Sequence, residues 1–227
     1  MKKLIAMGLT VIMTAVAVCG CGSSDSGNDA KKSDNQTKQQ AVKVIDVDLT
    51  SEEYAFGVDK NKPELLTQVN DFIKEIKDNG TFDEICNKYF GGGNPTPVKS
   101  EKLDTSKDQL LVATNASFEP FEYMKGDSYY GIDMEIAAAL AKKLNKELVI
   151  QNMEFDSVCL SVGQHKSDVA MAGLTVKEDR KKYVNFSDTY YNAAQRLIVK
   201  GDSTEFDSCK DKAAIEKILK TKDKRVT

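Results

Sequence analysis

The sequence predicts an α/β fold in which a mainly parallel sheet is flanked by helices. Between residues 109 and 200, apolar strand-like stretches such as QLLVATN alternate with amphipathic helical stretches such as YYGIDMEIAAALAKKLN. Strands that alternate with helices are joined by right-handed crossovers, which set the strands in parallel and the helices on both faces of the sheet. The composition is that of a soluble globular protein, because 41% of the residues are hydrophobic and 30% are charged.

The segment before residue 91 predicts two strands and two helices. AVKVIDVDL and EYAFGV predict short strands, and KPELLTQVNDFIKEIKDNG predicts a helix with Pro63 in its first turn and one apolar face. Thr81 and Glu84 have the spacing of a capping box, which predicts a second helix over FDEICNKYF. The glycines and prolines of residues 91–108 predict a linker without regular structure.

The segment after the linker alternates strands with helices. Thr175 and Glu178 again have capping-box spacing, so we expect the stretch VKEDRKKYV to be helical, with a helix N-terminus at Thr175 and Arg180 about one turn inside. A helix N-terminus attracts anions, and an arginine grips a carboxylate through two N–H groups. The stretch AGLTVKEDR is therefore a candidate anion site; the alternative is an ordinary strand–turn–helix with a solvated Arg180.

The expected ligand site lies where two of the predicted strands end. QLLVATN ends at residues 114–115, and SDVAMAG leads into residues 172–175. Ligands of mainly parallel sheets bind at the carboxyl ends of the strands. We therefore expect these two segments to be neighbours in space.

The first 21 residues have the features of a bacterial export signal. Lys2 and Lys3 precede the apolar run LIAMGLTVIMTAVAV, which is followed by CGCGSS. This arrangement resembles a lipoprotein signal, and Cys21 is the expected acylation site because the residue before it is the small Gly20. The alternatives are a plain secretory signal and a membrane anchor. Residues 22–43 are polar and predict a flexible tether.

The composition argues against several other classes of protein. The net charge of −3 disfavours a nucleic-acid partner. A Ser/His/Asp triad or a histidine-rich metal site would need the single histidine, His165, which we expect in an exposed loop. Cys86, Cys159 and Cys209 have no metal-ligand or disulfide spacing, and we expect the first two to be apolar helix residues. We therefore predict no metal, no cofactor and no catalytic residue.

Four stretches occur in this order along the chain: LLVATNASFEPFEY, GIDMEIAAALAKKL, MAGLTVKEDRKKYVNFSDTYY and RLIVK. Together they resemble a known family, the polar amino-acid-binding proteins of ABC uptake systems (solute-binding protein family 3). The resemblance implies a two-lobe fold of the periplasmic-binding-protein type II. It implies that residues 44–200 form lobe I and that residues 201–227 begin lobe II, which we expect to be incomplete in this fragment.

The N-terminal part resembles the end of the same family. Residues 52–90 look like the returning hinge strand and the two final helices of lobe I. The resemblance implies a permuted order, with the family's C-terminal part at 44–90, a linker at 91–108 and the N-terminal part at 109–200. On this hypothesis YAFGV pairs alongside RLIVK at the hinge. The alternative is a relic of a duplicated binding domain.

The family's function would be carried by the protein as a whole. The resemblance implies an extracytoplasmic substrate-binding component of an ABC importer, which captures a free amino acid between two lobes and delivers it to the permease. We expect a monomer that is anchored by a lipid to the outer face of the cell membrane, or is periplasmic, and that is not an enzyme. The alternatives are the sensing module of a membrane receptor and a periplasmic enzyme of the same fold.

The resemblance also implies which residues bind the main-chain groups of the ligand. Arg180 would hold the α-carboxylate, together with the N–H of Thr175. The Thr175 hydroxyl and the Gly173 carbonyl would face the α-ammonium. Tyr190 and Tyr191 are expected to pack near the hinge rather than touch the ligand.

Three further residues are implied for the side chain of the ligand. Phe118 and Phe155 would flank it, and Asn115 would reach its distal part. Family members that take basic amino acids often carry an aspartate at that last position, so the neutral amide argues against lysine or arginine. Glu119 and Glu122 are expected to be solvated.

Overall fold

The computed structural model describes residues 41–222, which divide into two compact units. The larger unit runs from Asp48 to Gln195, a few residues inside the predicted lobe I boundaries. The smaller unit combines the described residues up to Val47 with those from Arg196 onwards. The predicted signal peptide, the expected acylation site and nearly all of the predicted tether lie outside the described residues.

The elements alternate between short strands and helices along the described chain. In chain order they are β1 (Val42–Val44), β2 (Glu52–Tyr54), β3 (Gly57–Asp59), α1 (Pro63–Asp78), α2 (Thr81–Phe90), β4 (Gln109–Thr114), β5 (Ser117–Phe118), β6 (Glu122–Lys125), β7 (Ser128–Tyr130), α3 (Ile132–Lys143), β8 (Glu147–Asn152), α4 (Phe155–Gly163), β9 (Val169–Ala170), a 3₁₀ turn (Arg180–Lys182), β10 (Val184–Phe186), β11 (Tyr191–Ala193), β12 (Ile198–Lys200) and α5 (Lys212–Lys222). Among these, no helix is both long enough and apolar enough to cross a membrane.

The larger unit is built on a five-stranded sheet with the order β10-β3-β9-β4-β8. β4 runs parallel to both β8 and β9, whereas β3 is antiparallel to its neighbours β9 and β10. The predicted α/β fold with a mainly parallel sheet is therefore confirmed. The antiparallel strand is the one supplied by the N-terminal segment.

Three smaller sheets lie outside the central one. β2 pairs with β11, β5, β6 and β7 form a meander, and β1 pairs with β12 in the smaller unit. The expected pairing of YAFGV with RLIVK is therefore wrong. Val42 to Val44 pair with Ile198 to Lys200 instead, and this strand begins inside the segment predicted to be tether.

The apolar face of α1 closes the core of the larger unit, as its spacing predicts. α1 begins with Pro63 and ends just before the Asn79–Gly80 turn. Its five buried residues are Leu65, Val69, Phe72, Ile73 and Ile76. They pack in one cluster with residues of β3, β4, α2 and α3, so the N-terminal helices and the later strands share a core.

The start of α2 differs from the predicted capping box. Thr81 is the first helical residue, and Gly80 precedes it with a φ of 85°. The side chain of Asn79 accepts a hydrogen bond from the Thr81 N–H at 2.9 Å. Because the backbone has already entered the helix at Thr81, its hydroxyl does not cap. The helix predicted over FDEICNKYF is confirmed, but the capping box predicted from Thr81 and Glu84 does not form.

The predicted helix at Thr175 is also wrong. Thr175 forms an antiparallel bridge with Tyr54, and the Val176 N–H donates to the Glu53 carbonyl at 3.0 Å. This pairing with β2 holds the backbone extended where the capping-box spacing predicts a helix start. Only a single 3₁₀ turn, Arg180–Lys182, follows. The helix N-terminus that we expected at Thr175, one turn before Arg180, is therefore not formed.

The linker of residues 91–108 has no helix or strand, as predicted, but it is attached to the fold. Val98 forms a bridge with Tyr129. The Glu101 N–H donates to the Leu148 carbonyl at 2.8 Å, and the Ser100 hydroxyl accepts from the Ile150 N–H at 2.8 Å. These bonds satisfy part of the open edge of β8.

Candidate functional site

A pocket of about 370 Å³ in the larger unit brings the predicted ligand residues together. It is lined by Glu52, Tyr54, Asn115, Ser117, Phe118, Glu122, Phe155, Ala172, Gly173, Thr175, Lys177 and Arg180. All six residues that the resemblance implies for the ligand are in this set. Since β4 and β9 are parallel neighbours, the segments that follow them meet at one edge of the sheet, as expected.

A second, larger depression of about 740 Å³ lies along the linker and α3. It is more open, and two of its lysines have acidic partners within the protein: Lys107 contacts Glu147 at 2.8 Å, and Lys146 pairs with Asp108. Because those charges are already neutralised at the surface, the smaller pocket is the better candidate for a ligand site.

Gly173 is required by the geometry of the pocket wall. Its φ of 51° lies in the left-handed region, and its N–H donates to the Asp133 carboxylate at 2.9 Å. A Cβ at this position would lie 3.0 Å from the ring of Phe118. The glycine therefore lets the backbone turn into the site and lets the Phe118 ring approach it.

Arg180 is held in the pocket by two contacts. Its Nη1 donates to the Thr175 carbonyl at 2.8 Å, and its guanidinium carbon lies 5.0 Å from the centroid of the Phe155 ring. These contacts fix the plane of the guanidinium. Its other N–H groups have no hydrogen-bond acceptor among residues 41–222. A fixed guanidinium is suited to a ligand carboxylate.

Phe118 and Phe155 are exposed to the pocket rather than buried in the core. Phe118 is 42% exposed and Phe155 is 38% exposed, which is unusual for side chains of this size. Phe118 also stacks on Phe121 with 5.6 Å between the ring centroids. The two open aromatic faces can cover the side chain of a ligand.

Asn115 lies at the pocket edge with its amide oriented by the protein. Its Nδ2 donates to the Met153 carbonyl at 2.8 Å, and its Oδ1 accepts from the Ser117 hydroxyl at 2.5 Å. Both halves of the amide are thus engaged. Other groups of the pocket must therefore also contact the side chain of a ligand.

Glu52 is a pocket residue that the sequence reasoning missed. Its carboxylate accepts hydrogen bonds from the Thr50 hydroxyl at 3.1 Å, the Tyr54 hydroxyl at 3.2 Å and the Thr175 hydroxyl at 3.4 Å. Glu52 reaches the pocket because β2 pairs with β11 and bridges to Thr175, contacts that no local pattern in the sequence indicates.

Glu122 is buried, and the expectation that it is solvated is wrong. It is 1% exposed, and both of its carboxyl oxygens lack a hydrogen-bond partner among the described residues. Glu119, by contrast, is exposed as expected. Burial first, and the buried Asp133 second, raise the pKa of Glu122 far above its usual range.

Asp133 lies behind Gly173 and is completely buried. It accepts hydrogen bonds from the Gly173 N–H and, at 2.6 Å, from the Tyr190 hydroxyl. Burial raises the pKa of Asp133, and the two hydrogen bonds oppose that rise because they favour the ionised form.

The remaining candidate residues have structural roles. His165 is exposed with a φ of 59°, and its Nδ1 lies 2.8 Å from the Asp59 carboxylate. Cys159 is buried on α4, Cys86 is half-buried on α2, and burial raises the pKa of these thiols to about 11 and about 12. Tyr190 is buried and stacks on a core phenylalanine. No group of three or more metal-ligating side chains occurs within residues 41–222.

Comparison with known proteins identifies the family. The model of the bacterial extracellular solute-binding proteins, family 3, matches residues 10–92 and 110–225, which is most of the chain. The gap between the two matched ranges falls in the linker.

Individual relatives are similar over part of the chain. The arginine-binding extracellular protein ArtP of Bacillus subtilis (strain 168) is 40% identical over 100 residues, which are 44% of this chain and 39% of that protein. The arginine-binding periplasmic protein of Mannheimia haemolytica is 34% identical over 101 residues, 44% of this chain and 42% of that protein. The alignments thus cover about two fifths of either relative.

Among solved structures, an ancestral cyclohexadienyl dehydratase is similar to this chain. It is 33% identical, with 37% of this chain and 35% of that chain covered and a TM-score of 0.36.

Proposed function

We propose that this chain, which belongs to the bacterial extracellular solute-binding proteins of family 3, binds a free amino acid for an ABC importer. The observation that carries the proposal is the fixed guanidinium of Arg180 beside two open aromatic rings in one pocket. Arg180 binds the α-carboxylate, and Phe118 and Phe155 cover the ligand side chain. The two arginine-binding relatives support a binding protein rather than an enzyme.

Thr175 and Gly173 bind the α-ammonium group in this proposal. The hydroxyl of Thr175 contacts Glu52, so a carboxylate lies on the same side of the pocket as the expected ammonium. An ammonium group donates three hydrogen bonds, and acceptors are provided by the Thr175 hydroxyl, the Gly173 carbonyl and the Glu52 carboxylate. The helix-dipole contribution expected from the sequence is not part of this proposal.

The ligand to be tested first is arginine. Both relatives are named as arginine-binding proteins, and two carboxyl groups, Glu52 and Glu122, line the same pocket. These acids offset the argument from the neutral Asn115, whose amide is engaged by Met153 and Ser117. With Glu52 facing the α-ammonium group, Glu122 is the acidic group that remains for a cationic side chain.

The order of the segments fits a permuted binding protein. We assign the unit Asp48–Gln195 to lobe I, with residues up to 90 as the family's C-terminal part and residues from 109 as its N-terminal part. The support is that β3 is inserted between β9 and β10 and that α1 shares its core with α3. Residues from 201 onwards are assigned to lobe II.

The setting of the whole protein is proposed from the sequence and the relatives. A lipid at Cys21 would anchor it, as a monomer, to the outer face of the cell membrane, where an ABC permease receives the amino acid. Treating cells with labelled palmitate and comparing the chain with Cys21→Ala tests the anchor. Label retained by the variant would exclude acylation at this cysteine.

The binding proposal is tested by an NMR titration of the 227-residue chain with a panel of L-amino acids. We expect Arg180→Ala to abolish saturable binding, because the carboxylate loses its counter-charge. Lys181→Ala is the matched control, since it removes a neighbouring cation that pairs with Glu178 at the surface. Binding that survives Arg180→Ala would refute the proposal.

A further inference from the structure

We propose that Glu122 exchanges its proton for the cationic side-chain group of the ligand, so that capture of a basic amino acid releases one proton to solvent. This inference rests on the proposed amino-acid-binding function. In addition to binding, a single residue would sense the charge of the ligand. The selectivity between charged and neutral ligands would then depend on pH.

Glu122 is placed where it can meet the side chain of a ligand. Its carboxyl group is buried, lines the ligand pocket, and has no hydrogen-bond partner within residues 41–222. A buried carboxyl group without donors is costly whether it is ionised or neutral. A ligand cation that enters this pocket would provide the missing donors.

Before a ligand binds, Glu122 rather than Asp133 holds a proton. Glu122 and Asp133 are both buried and interact electrostatically, so ionising both at once is strongly disfavoured. Asp133 accepts from the Gly173 N–H and the Tyr190 hydroxyl, which stabilise its charge. Glu122 has no such donor among residues 41–222, so it carries the proton.

The other charged and titratable groups around Glu122 do not replace it in this role. From β2, Glu52 and Tyr54 face the pocket, and burial first, then Glu52, raise the pKa of the Tyr54 hydroxyl, which stays neutral near pH 7. From the segment that follows β9, the cations Lys177 and Arg180 line the pocket.

Two tyrosines complete the surroundings of Glu122. Tyr190 is buried, and burial first, then Asp133, raise the pKa of its hydroxyl, so it also stays neutral. From β7, Tyr130 stacks on Tyr123, which follows Glu122 on β6, with 5.7 Å between the ring centroids.

The exchange balances in charge and atoms. The neutral carboxyl of Glu122 meets a guanidinium or ammonium group, its O–H bond breaks, and the proton leaves to bulk water. The carboxylate that remains accepts the N–H donors of the ligand in a charge-assisted pair. A neutral ligand of the same shape, such as citrulline, leaves the proton on Glu122 and accepts a hydrogen bond from it.

The test is the pH dependence of the dissociation constants of arginine and citrulline, measured by NMR titration of the full chain at pH 6, 7 and 8. The arginine guanidinium keeps its charge over this range. For arginine we expect the dissociation constant to fall about tenfold per pH unit, because one proton is released. For citrulline we expect it to stay constant.

Two variants assign the effect to Glu122. Glu122→Gln resembles the protonated side chain, and we expect its affinity for arginine to be weaker at pH 8 and independent of pH, with citrulline binding retained. Glu119→Gln makes the same glutamate-to-glutamine change at an exposed position outside the pocket lining and should leave the tenfold slope intact.

The outcomes separate this inference from the function on which it rests. The proton exchange would be overturned if arginine bound with a dissociation constant that does not change with pH. It would also be overturned if that constant changed equally with pH in Glu122→Gln. Either result would leave amino-acid binding standing. Failure of both ligands to bind at every pH, alongside failure of the amino-acid panel, would overturn both.

Discussion

The proton on Glu122 has a consequence for folding that can be measured without any ligand. In the unfolded chain a glutamate ionises near its ordinary pKa of about 4.3. In the folded protein burial holds the pKa of Glu122 far above that value. Because the folded-state pKa is raised, the stabilising contribution of the Glu122 carboxyl group is fully present below about pH 4.3. It is lost as the pH rises towards the folded-state pKa.

The magnitude follows from the linkage of proton binding to folding. While the unfolded chain has lost the proton and Glu122 retains it, stability falls by about 1.4 kcal/mol per pH unit for that one group. Between pH 5 and pH 8 the loss is therefore about 4 kcal/mol. The raised pKa of Asp133 contributes in the same direction until that carboxyl ionises. The decline attributable to Glu122 is a large fraction of a domain's stability.

The assay is urea unfolding of the wild type and Glu122→Gln at pH 5, 6, 7 and 8, followed by far-UV circular dichroism. We expect the variant to lose about 4 kcal/mol less than the wild type between pH 5 and 8. Glu119→Gln is the control, because that side chain is exposed. Parallel pH profiles for the wild type and Glu122→Gln would refute the reasoning.

Three further predictions concern the pocket and the core. Gly173→Ala should cost about 1–2 kcal/mol of stability in urea unfolding, because alanine is strained at a positive φ. It should also weaken amino-acid binding in an NMR titration, because its Cβ would press on the Phe118 ring. An unaltered affinity would contradict this prediction. Ile73→Ala should cost about 2–5 kcal/mol in the same unfolding assay, because it leaves a cavity in the core, and a loss below about 1 kcal/mol would exclude that packing role. The 227-residue chain should bind arginine with a millimolar dissociation constant. Three charge-assisted hydrogen bonds and one aromatic face contribute about 7 kcal/mol. Association costs at least about 4 kcal/mol, which leaves a net binding free energy of about 3 kcal/mol. A micromolar constant in an NMR titration would contradict this sum.

The local patterns of the sequence predict the elements that depend on local chemistry. The helix that begins at Pro63 has a regular apolar face, a proline in its first turn and an Asn–Gly stop, and each of these acts within a few residues. The meeting of Asn115 with Gly173 also follows, because parallel neighbours end at one edge of a sheet.

The failures occur where distant segments meet. Thr175 has capping-box spacing, but its backbone pairs with Tyr54, more than a hundred residues earlier, and stays extended. Glu122 lies between two buried aromatic residues, Phe121 and Tyr123. The side-chain alternation of a strand would turn Glu122 away from the core and into water. Glu122 on that second face instead lines the pocket together with Glu52 and Tyr54 of β2.

The most direct test of the account is a structure of the 227-residue chain in complex with arginine. We predict that the α-carboxylate of arginine contacts the Arg180 guanidinium and that its aliphatic part lies between Phe118 and Phe155. The guanidinium of the ligand should reach Glu122. A ligand bound in the reverse direction, or in the depression between the linker and α3, would contradict the account.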